Sequence, residues 1–396
     1  MKSKSFKVLA SAALAAGLLA GCSGNGDANS NGGGDAAGAK LGDTVKIGLN
    51  FELSGAVADY GNAEKNGVLL AVEQFNARED KPFTVETVEV DNKSDAAEST
   101  TAANRLMTQD GVVGIVGPAT SGASIATYAV AEQNQVPVIS PSTTQNGAMM
   151  NGDIPYAYSW RVCFEDSEQG KAMAIYAADT LNAKKAVVFN ETSDYGRGLA
   201  NAFTEELTAK GGEVVDTIEY NAKDTDFSSF ITRIKSKDFD VIYIAGYYNE
   251  AGLIIKQAKD DGIDCPIIGA DGFDSTTLID LAGKDYATNV YFTTAYSTID
   301  ASDDLQNFID AYKAKYDQEP GMFAALAYDA TNLLLSNLEA TGESGEALNE
   351  SIKNANFDGV TGSFVFNADT HSPEKKVLVV ELTQGEQTGV TEVNPD

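Results

Sequence analysis

Residues 112–140, VVGIVGPATSGASIATYAVAEQNQVPVIS, read as a strand over 112–116, a helix over 121–134 and a second strand over 136–139. Both strand runs are short and almost wholly apolar, as strands are when helices cover the two faces of a parallel sheet. The first run passes into Gly117-Pro118-Ala119-Thr120-Ser121-Gly122 and the second into Ser140-Pro141-Ser142-Thr143-Thr144. Strand, loop, helix and strand make one βαβ unit, and in such sheets ligands collect beyond the carboxyl ends of the strands.

The alternation extends both ways. Upstream it runs strand 45–51, helix 62–78, strand 85–91 and helix 96–109. After an extended segment over 156–164 it restarts with a helix from 166, strand 186–190, a helix from 196, strand 214–219, helix 227–236, strand 241–245, helix 250–261 and strand 266–269. The expected class is α/β, with two doubly wound parallel-sheet lobes. Residues 290–295 are extended, and helical patterns follow over 303–316, 322–339 and 346–354. These are too many for the second lobe alone, so they return to the first, and a terminal strand over 376–382 goes back to the second. The chain then crosses near Cys163, Ala295 and His371, giving a three-stranded hinge. Lobe 1 takes 43–163 and 296–371; lobe 2 takes 164–295 and 372–396.

At the N-terminus, Lys2, Lys4 and Lys7 lead into an apolar run over 8–20 that closes on Leu19-Ala20-Gly21-Cys22. The run is too short to span a bilayer and reads as a processing segment. Its end resembles a bacterial lipobox, which implies a signal peptide over 1–21, a lipid on Cys22 and a mature protein that starts there, outside the cell. Residues 22–42 are mostly Gly, Asn, Ser, Ala and Asp, with too little apolar surface to fold, and read as a flexible tether. An acidic lipoprotein on such a tether fits the outer face of a Gram-positive membrane, with the lipid as the only membrane contact.

Acidic residues number 58 against 28 basic ones, a net charge of −30. That balance argues against nucleic acid, whose phosphates need clustered Lys and Arg, and against any anionic polymer. The single histidine, His371, falls in the polar stretch 367–376 and reads as part of a solvated loop. With no CxxC and no HExxH a zinc site lacks ligands, and a Ser–His or Cys–His base lacks its partner. No nucleophile elbow or phosphate loop is present, so neither an enzyme nor a cofactor is implied. In an exported protein Cys163 and Cys265 either pair or stay buried free thiols, and their spacing does not choose between the two.

The two hydroxyl-rich loops of the first lobe offer O–H and N–H donors suited to a carboxylate. On the second lobe, strand ends lead into Asp194-Tyr195-Gly196, Tyr247-Tyr248-Asn249-Glu250 and Gly269-Ala270-Asp271-Gly272-Phe273. Tyrosines bring apolar faces with a hydrogen-bonding tip, and an acid between glycines is placed to meet an ammonium.

In this order and spacing, Ser54-Gly55 with Tyr60-Gly61, Gly117-Pro118, Ser140-Pro141 with Thr144, Arg161 with Asp166 and Gln169-Gly170, Asp194-Tyr195-Gly196, Gly246-Tyr247 and Gly269-Ala270-Asp271-Gly272 are similar to one family. The chain from Val45 to about Leu382 resembles the branched-chain amino-acid-binding proteins of ABC transporters, the type I periplasmic binding proteins. The resemblance implies that Ser121, Ser142 and Thr144, beside Ala119, hold a ligand carboxylate through hydroxyls and backbone N–H groups, and that Asp271 pairs with the α-ammonium. It also implies that Tyr195 and Tyr247 close over the ligand, that Tyr60 borders the side-chain pocket and that Asp166 adds negative charge near the ammonium. Arg161, on the first crossing strand, is expected to make an interlobe salt bridge.

Two residues depart from the leucine-binding pattern, Asp271 where glutamate is common and Phe164 where a small residue stands. An aspartate is one methylene shorter, and a Phe164 facing the cleft would reshape the pocket. The function expected is an extracytoplasmic, monomeric solute receptor that closes on an amino acid and delivers it to ABC permease subunits without chemistry on the ligand. The alternative is an extracellular amino-acid or amide sensor acting through a docked signalling partner.

Overall fold

A computed structural model describes residues 38–299 and 301–395. The signal segment, Cys22 and the tether as far as residue 37 lie outside the described residues. The last tether residues are pinned: Leu41 N donates to Gly342 O at 3.0 Å and Lys40 bridges to Glu343.

The first sheet is built from β1 (Thr44–Phe51), β2 (Thr84–Asp91), β3 (Ile115–Val116), β4 (Val138–Ser140) and β7 (Ser159–Arg161), in the order β2-β1-β3-β4-β7 and parallel throughout. Between β4 and β7 a small hairpin, β5 (Met150–Asn151) and β6 (Ile154–Pro155), projects to the side. Helices α1 (Ala58–Ala77), α2 (Ala96–Arg105) and α3 (Ser121–Asn134) make the crossovers. In α1 the buried face is Tyr60, Glu64, Gly67, Val68, Ala71 and Phe75, a stripe at helical spacing with one acid inside it. The expected strand over 112–116 shrinks to two paired residues because Val113 N instead reaches Lys46 O ahead of the ladder.

The second sheet starts after α4 (Asp166–Ile175), with β8 (Lys185–Glu191), α5 (Asp194–Ala209), β9 (Glu213–Tyr220), α6 (Ser228–Ile234), β10 (Val241–Ala245), α7 (Tyr248–Asp260), β11 (Ile267–Gly269), α8 (Thr276–Ala282) and β12 (Val290–Thr294). Three helices follow, α9 (Asp303–Tyr316), α10 (Met322–Thr341) and α11 (Glu346–Lys353), then the hairpin β13 (Asn356–Gly359) with β14 (Gly362–Val365). The chain ends in β15 (Val377–Thr383) and β16 (Glu386–Val393), which extend the second sheet antiparallel to the order β16-β15-β12-β11-β10-β8-β9. The architecture is the two doubly wound lobes anticipated from the alternation. Strand β16 escaped the sequence reading because its outer-edge position leaves most of its residues exposed or half-buried, so no clean apolar run marks it.

Helix α10 lies against α1 on the first lobe, and the closeness is fixed by Gly67, where a Cβ would stand 2.1 Å from Ala324 O. It stops at Gly342, which takes the left-handed conformation that terminates helices.

Three segments link the sheets, after β7, after β12 and before β15. Arg161, fully buried, ties two of them: its guanidinium donates to Ser372 Oγ, Thr143 O and Gln145 O and pairs with Glu165. The ion pair of Arg161 is with Glu165, four residues along the same segment and directly ahead of α4. His371 corrects an expectation. It is buried, not solvated, and stacks on Trp160 at 4.0 Å with Nδ1 beside Ser159 O. Its polar neighbours in sequence hide that, but an indole face offers the ring more than water does, and burial pushes its pKa down. Cys163 and Cys265 are both free thiols.

Candidate functional site

Between the carboxyl ends of the two sheets lies a narrow, nearly closed cavity. Tyr60, Ala119, Thr120, Ser121, Ser142 and Thr144 line it from the first lobe, Tyr195, Tyr247, Asp271 and Gly272 from the second, and Phe323 from the first turn of α10. Eight of the nine expected ligand-binding residues share this one space. The ninth, Asp166, is not on the wall; it is fully buried at the start of α4, its N–H donating to Thr144 O at 2.8 Å. Phe164 sits in the core away from the lining, so it does not reshape the pocket directly.

The loop after β3 is held by a residue that attracted no notice in the sequence. Glu52 accepts from Ala119 N at 3.0 Å, Thr120 N at 3.0 Å and Thr120 Oγ1 at 2.7 Å. The Ala119 N–H is thereby spent on the protein, and Ala119 contributes wall and not donor. Ser121 opens α3, so its N–H has no partner four residues back and the helix dipole favours negative charge there. Its Oγ accepts from Gln145 N at 3.2 Å, which leaves the hydroxyl proton for the cavity.

In the next loop Ser142 Oγ lies 2.9 Å from Ala119 O and also against Glu64 Oε1. Glu64 is fully buried on α1, four residues beyond Tyr60, and burial pushes its carboxyl well above the usual range. An acid inside an apolar helical stripe is the signal that would have found it. For Glu52, the signal is an acid at the carboxyl end of the first strand.

The opposite wall is acidic. The Tyr195 hydroxyl donates to Asp271 Oδ1 at 2.6 Å, and Asp271 N donates to Gln169 Oε1 at 3.0 Å. Burial pushes Asp271 up to about 6. Asp166 is pushed well above its ordinary value, by burial first and by the Asp271 charge second. Two buried carboxyls, the charge of one raising the other, make a place that favours a cation. Gly272 is required here, since a Cβ would fall 2.6 Å from Gly246 O.

Aromatic rings close the remaining side. Tyr195 and Tyr247 stack at 4.9 Å with 4° between planes, Tyr60 stacks on Phe323 at 4.1 Å, and Tyr60 meets Tyr247 edge-on at 5.8 Å. Phe323 was readable as helical, but nothing in its periodicity says which face of α10 meets the cleft. The cavity thus has a donor end at Ser121 and the N-terminus of α3, an acidic end at Asp271 and an apolar side.

The sequence profile of a family described as periplasmic binding protein matches residues 44–387. A Leu/Ile/Val-binding protein of Rhizobium johnstonii is similar, with 34% identity over 318 residues, 80% of this chain and 84% of that one. Among solved structures, the branched-chain amino acid transporter substrate-binding protein LivJ of Streptococcus pneumoniae, in complex with isoleucine, is similar with a TM-score of 0.85 and 42% identity, covering 89% of this chain and 100% of that one. A leucine-binding protein, LivK, of Thermotoga maritima is similar with a TM-score of 0.82 and 34% identity, covering 89% and 99%.

Proposed function

The chain belongs to the periplasmic binding proteins, and from that footing we propose that it captures a branched-chain amino acid between its lobes and delivers it to an ABC permease. It is an extracytoplasmic solute-binding protein and not an enzyme. The observation that carries the reading is the pairing, across one cavity, of a donor end with an acidic end. The ligand carboxylate lies against the Ser121 hydroxyl, the N-terminus of α3 and the Thr144 loop. Its ammonium faces Asp271, with the buried Asp166 carboxyl behind. The aliphatic side chain packs on Tyr60, Tyr247 and Phe323, while Tyr195 and Tyr247 close over it. Closing excludes water and strengthens each charged contact.

Lobe 1 moves as 43–163 with 296–371 and lobe 2 as 164–295 with 372–396, and a lipid on Cys22 holds the monomer at the outer face of a Gram-positive membrane. The supporting feature for the anchor is the Leu19-Ala20-Gly21-Cys22 stretch.

The test is a melting series on protein unfolded and refolded to strip carried-over ligand. An amino acid at 100 times its Kd adds about 2.7 kcal/mol of stability. Shifts confined to leucine, isoleucine and valine support the assignment; shifts with other amino acids only would retain the receptor and overturn the side-chain class.

A further inference from the structure

Ser142 Oγ has two acceptor oxygens in hydrogen-bonding reach, Ala119 O at 2.9 Å and Glu64 Oε1. A hydroxyl carries one proton and a carbonyl carries none. Both contacts are hydrogen bonds only if the Glu64 carboxyl brings a proton of its own. We propose that Glu64 is a neutral acid that donates to Ser142 Oγ, that Ser142 donates onward to Ala119 O, and that Ser142 therefore meets the ligand as an acceptor for its ammonium, not as a donor to its carboxylate. The ammonium half of this rests on the amino-acid reading above.

The surroundings agree. Glu64 is fully buried, Oε2 has no hydrogen-bond partner, and among the described residues no Lys or Arg pairs with it. On its own helix Tyr60 is neutral, and Lys65 turns to Glu89 at 3.7 Å. From the loop after β1 the nearest titratable group is Glu52, whose charge raises Glu64 further. The loop after β4 brings the Ser142 hydroxyl against it, and the Ala119 carbonyl of the loop after β3 lies beyond, 2.9 Å from Ser142 Oγ. Glu52 is the contrast, since three donors converge on its two oxygens and suit a carboxylate. Burial raises Glu52 as well, but these donors offset part of that effect, whereas Glu64 has only Ser142 to set against its burial.

The two cavity serines then have opposite polarity. Ser121 accepts from Gln145 N and keeps its proton for the ligand, whereas Ser142 gives its proton to Ala119 and keeps a lone pair. The ammonium is held between Ser142 of one lobe and Asp271 of the other, so it ties the lobes together. The carboxylate is left to Ser121 and Thr144. Glu64 touches no ligand; it is a positioning residue that sets what Ser142 can read.

Two measurements on the full protein test this. The first is the infrared carbonyl stretch of a protonated carboxyl at neutral pH, compared between wild type and Glu64→Gln. A band lost in the variant supports the neutral acid, and identical spectra overturn it. The second is calorimetric binding of leucine and of leucinamide, which keeps the ammonium but lacks the carboxylate. Ser142→Ala is expected to weaken both by about ten-fold, since each loses the same acceptor. Weakening of leucine alone would overturn the assignment and return Ser142 to the carboxylate. Glu64→Leu should cost leucine about ten-fold and Glu64→Gln should recover most of it, because the amide can still donate to Ser142. A Gln variant as poor as Leu would count against the relay. If wild-type protein takes up no amino acid, the functional reading and the ammonium assignment fall together, while the infrared band still decides the proton on Glu64.

Discussion

The Tyr60 hydroxyl donates a 2.6 Å hydrogen bond to the carbonyl of Gly272, fastening helix α1 of one lobe to the loop after β11 of the other. Both groups line the cavity, so the bond forms only when the walls meet. Tyr60→Phe keeps the ring on Phe323 and removes only this bond, leaving the Gly272 carbonyl unpaired. Affinity is expected to fall about ten-fold, mostly as faster dissociation, because the bond is made after encounter. Stopped-flow fluorescence would separate the two rates; an unchanged off-rate would remove the fastening role.

Asp271 gives a pH signature. Its carboxyl is raised to about 6 in the folded protein against about 3.9 in an unfolded chain, so the folded state holds the proton more firmly. Ligand-free stability should therefore rise as pH falls from 7 towards 4 on account of this group, the reverse of an ion-paired aspartate. Asp274, also raised to about 6, and Glu191, raised to about 7, act in the same direction, while His371, pushed down, opposes them. Urea unfolding at pH 5 and 7.5 should show a smaller difference in Asp271→Asn than in wild type. Equal differences would mean Asp271 does not titrate in this window. The same variant, and Asp271→Ala, should lose at least about ten-fold in amino-acid affinity, as a buried ammonium partner is removed.

The fold was legible because its parts repeat. Runs such as VIYIA at β10 are buried on both faces, and the helices between them carry one apolar stripe each, so period alone separates strand from helix. The loops at the strand ends follow from topology, which is why Ser121, Ser142, Tyr195 and Asp271 are legible in the sequence as one site. What stayed hidden was the layer behind them. Glu52 and Glu64 act through geometry across distant segments, and a charge count treats them as solvated. His371 and β16 were hidden for the converse reason, since polar neighbours mask a ring that finds an indole and a strand that has a partner on one side only.

Arg161 is expected to matter for cohesion more than for recognition. It is fully buried, and its donors bind the crossing segment after β7 to Ser372 in the segment before β15. Arg161→Met removes the charge that Glu165 pairs with and strands the Thr143 and Gln145 carbonyls. The stranded carbonyls cost about 1–3 kcal/mol each, while Glu165, with its side chain 24% exposed, adds less than a fully buried partner would. Urea titration should show that loss, and a change under 1 kcal/mol would mean the crossing segments hold without it.

Gly67 sets how near α10 can come to α1, and through that how Tyr60 meets Phe323. A Cβ at this position would stand 2.1 Å from Ala324 O and 3.1 Å from Tyr328 N, both backbone atoms that cannot rotate aside. Gly67→Ala must push the helices apart, and overpacking of this kind costs about 1–3 kcal/mol even though alanine favours helix. Phe323, one residue before Ala324, moves with α10, so the stack on Tyr60 at 4.1 Å opens and the apolar side of the cavity widens. The variant should melt earlier and also bind leucine more weakly, the loss being larger for valine, whose shorter side chain cannot fill the added space. Thermal unfolding with and without each amino acid reads both effects at once. Lower stability with unchanged affinities would show that the α1–α10 spacing supports the lobe without shaping the pocket.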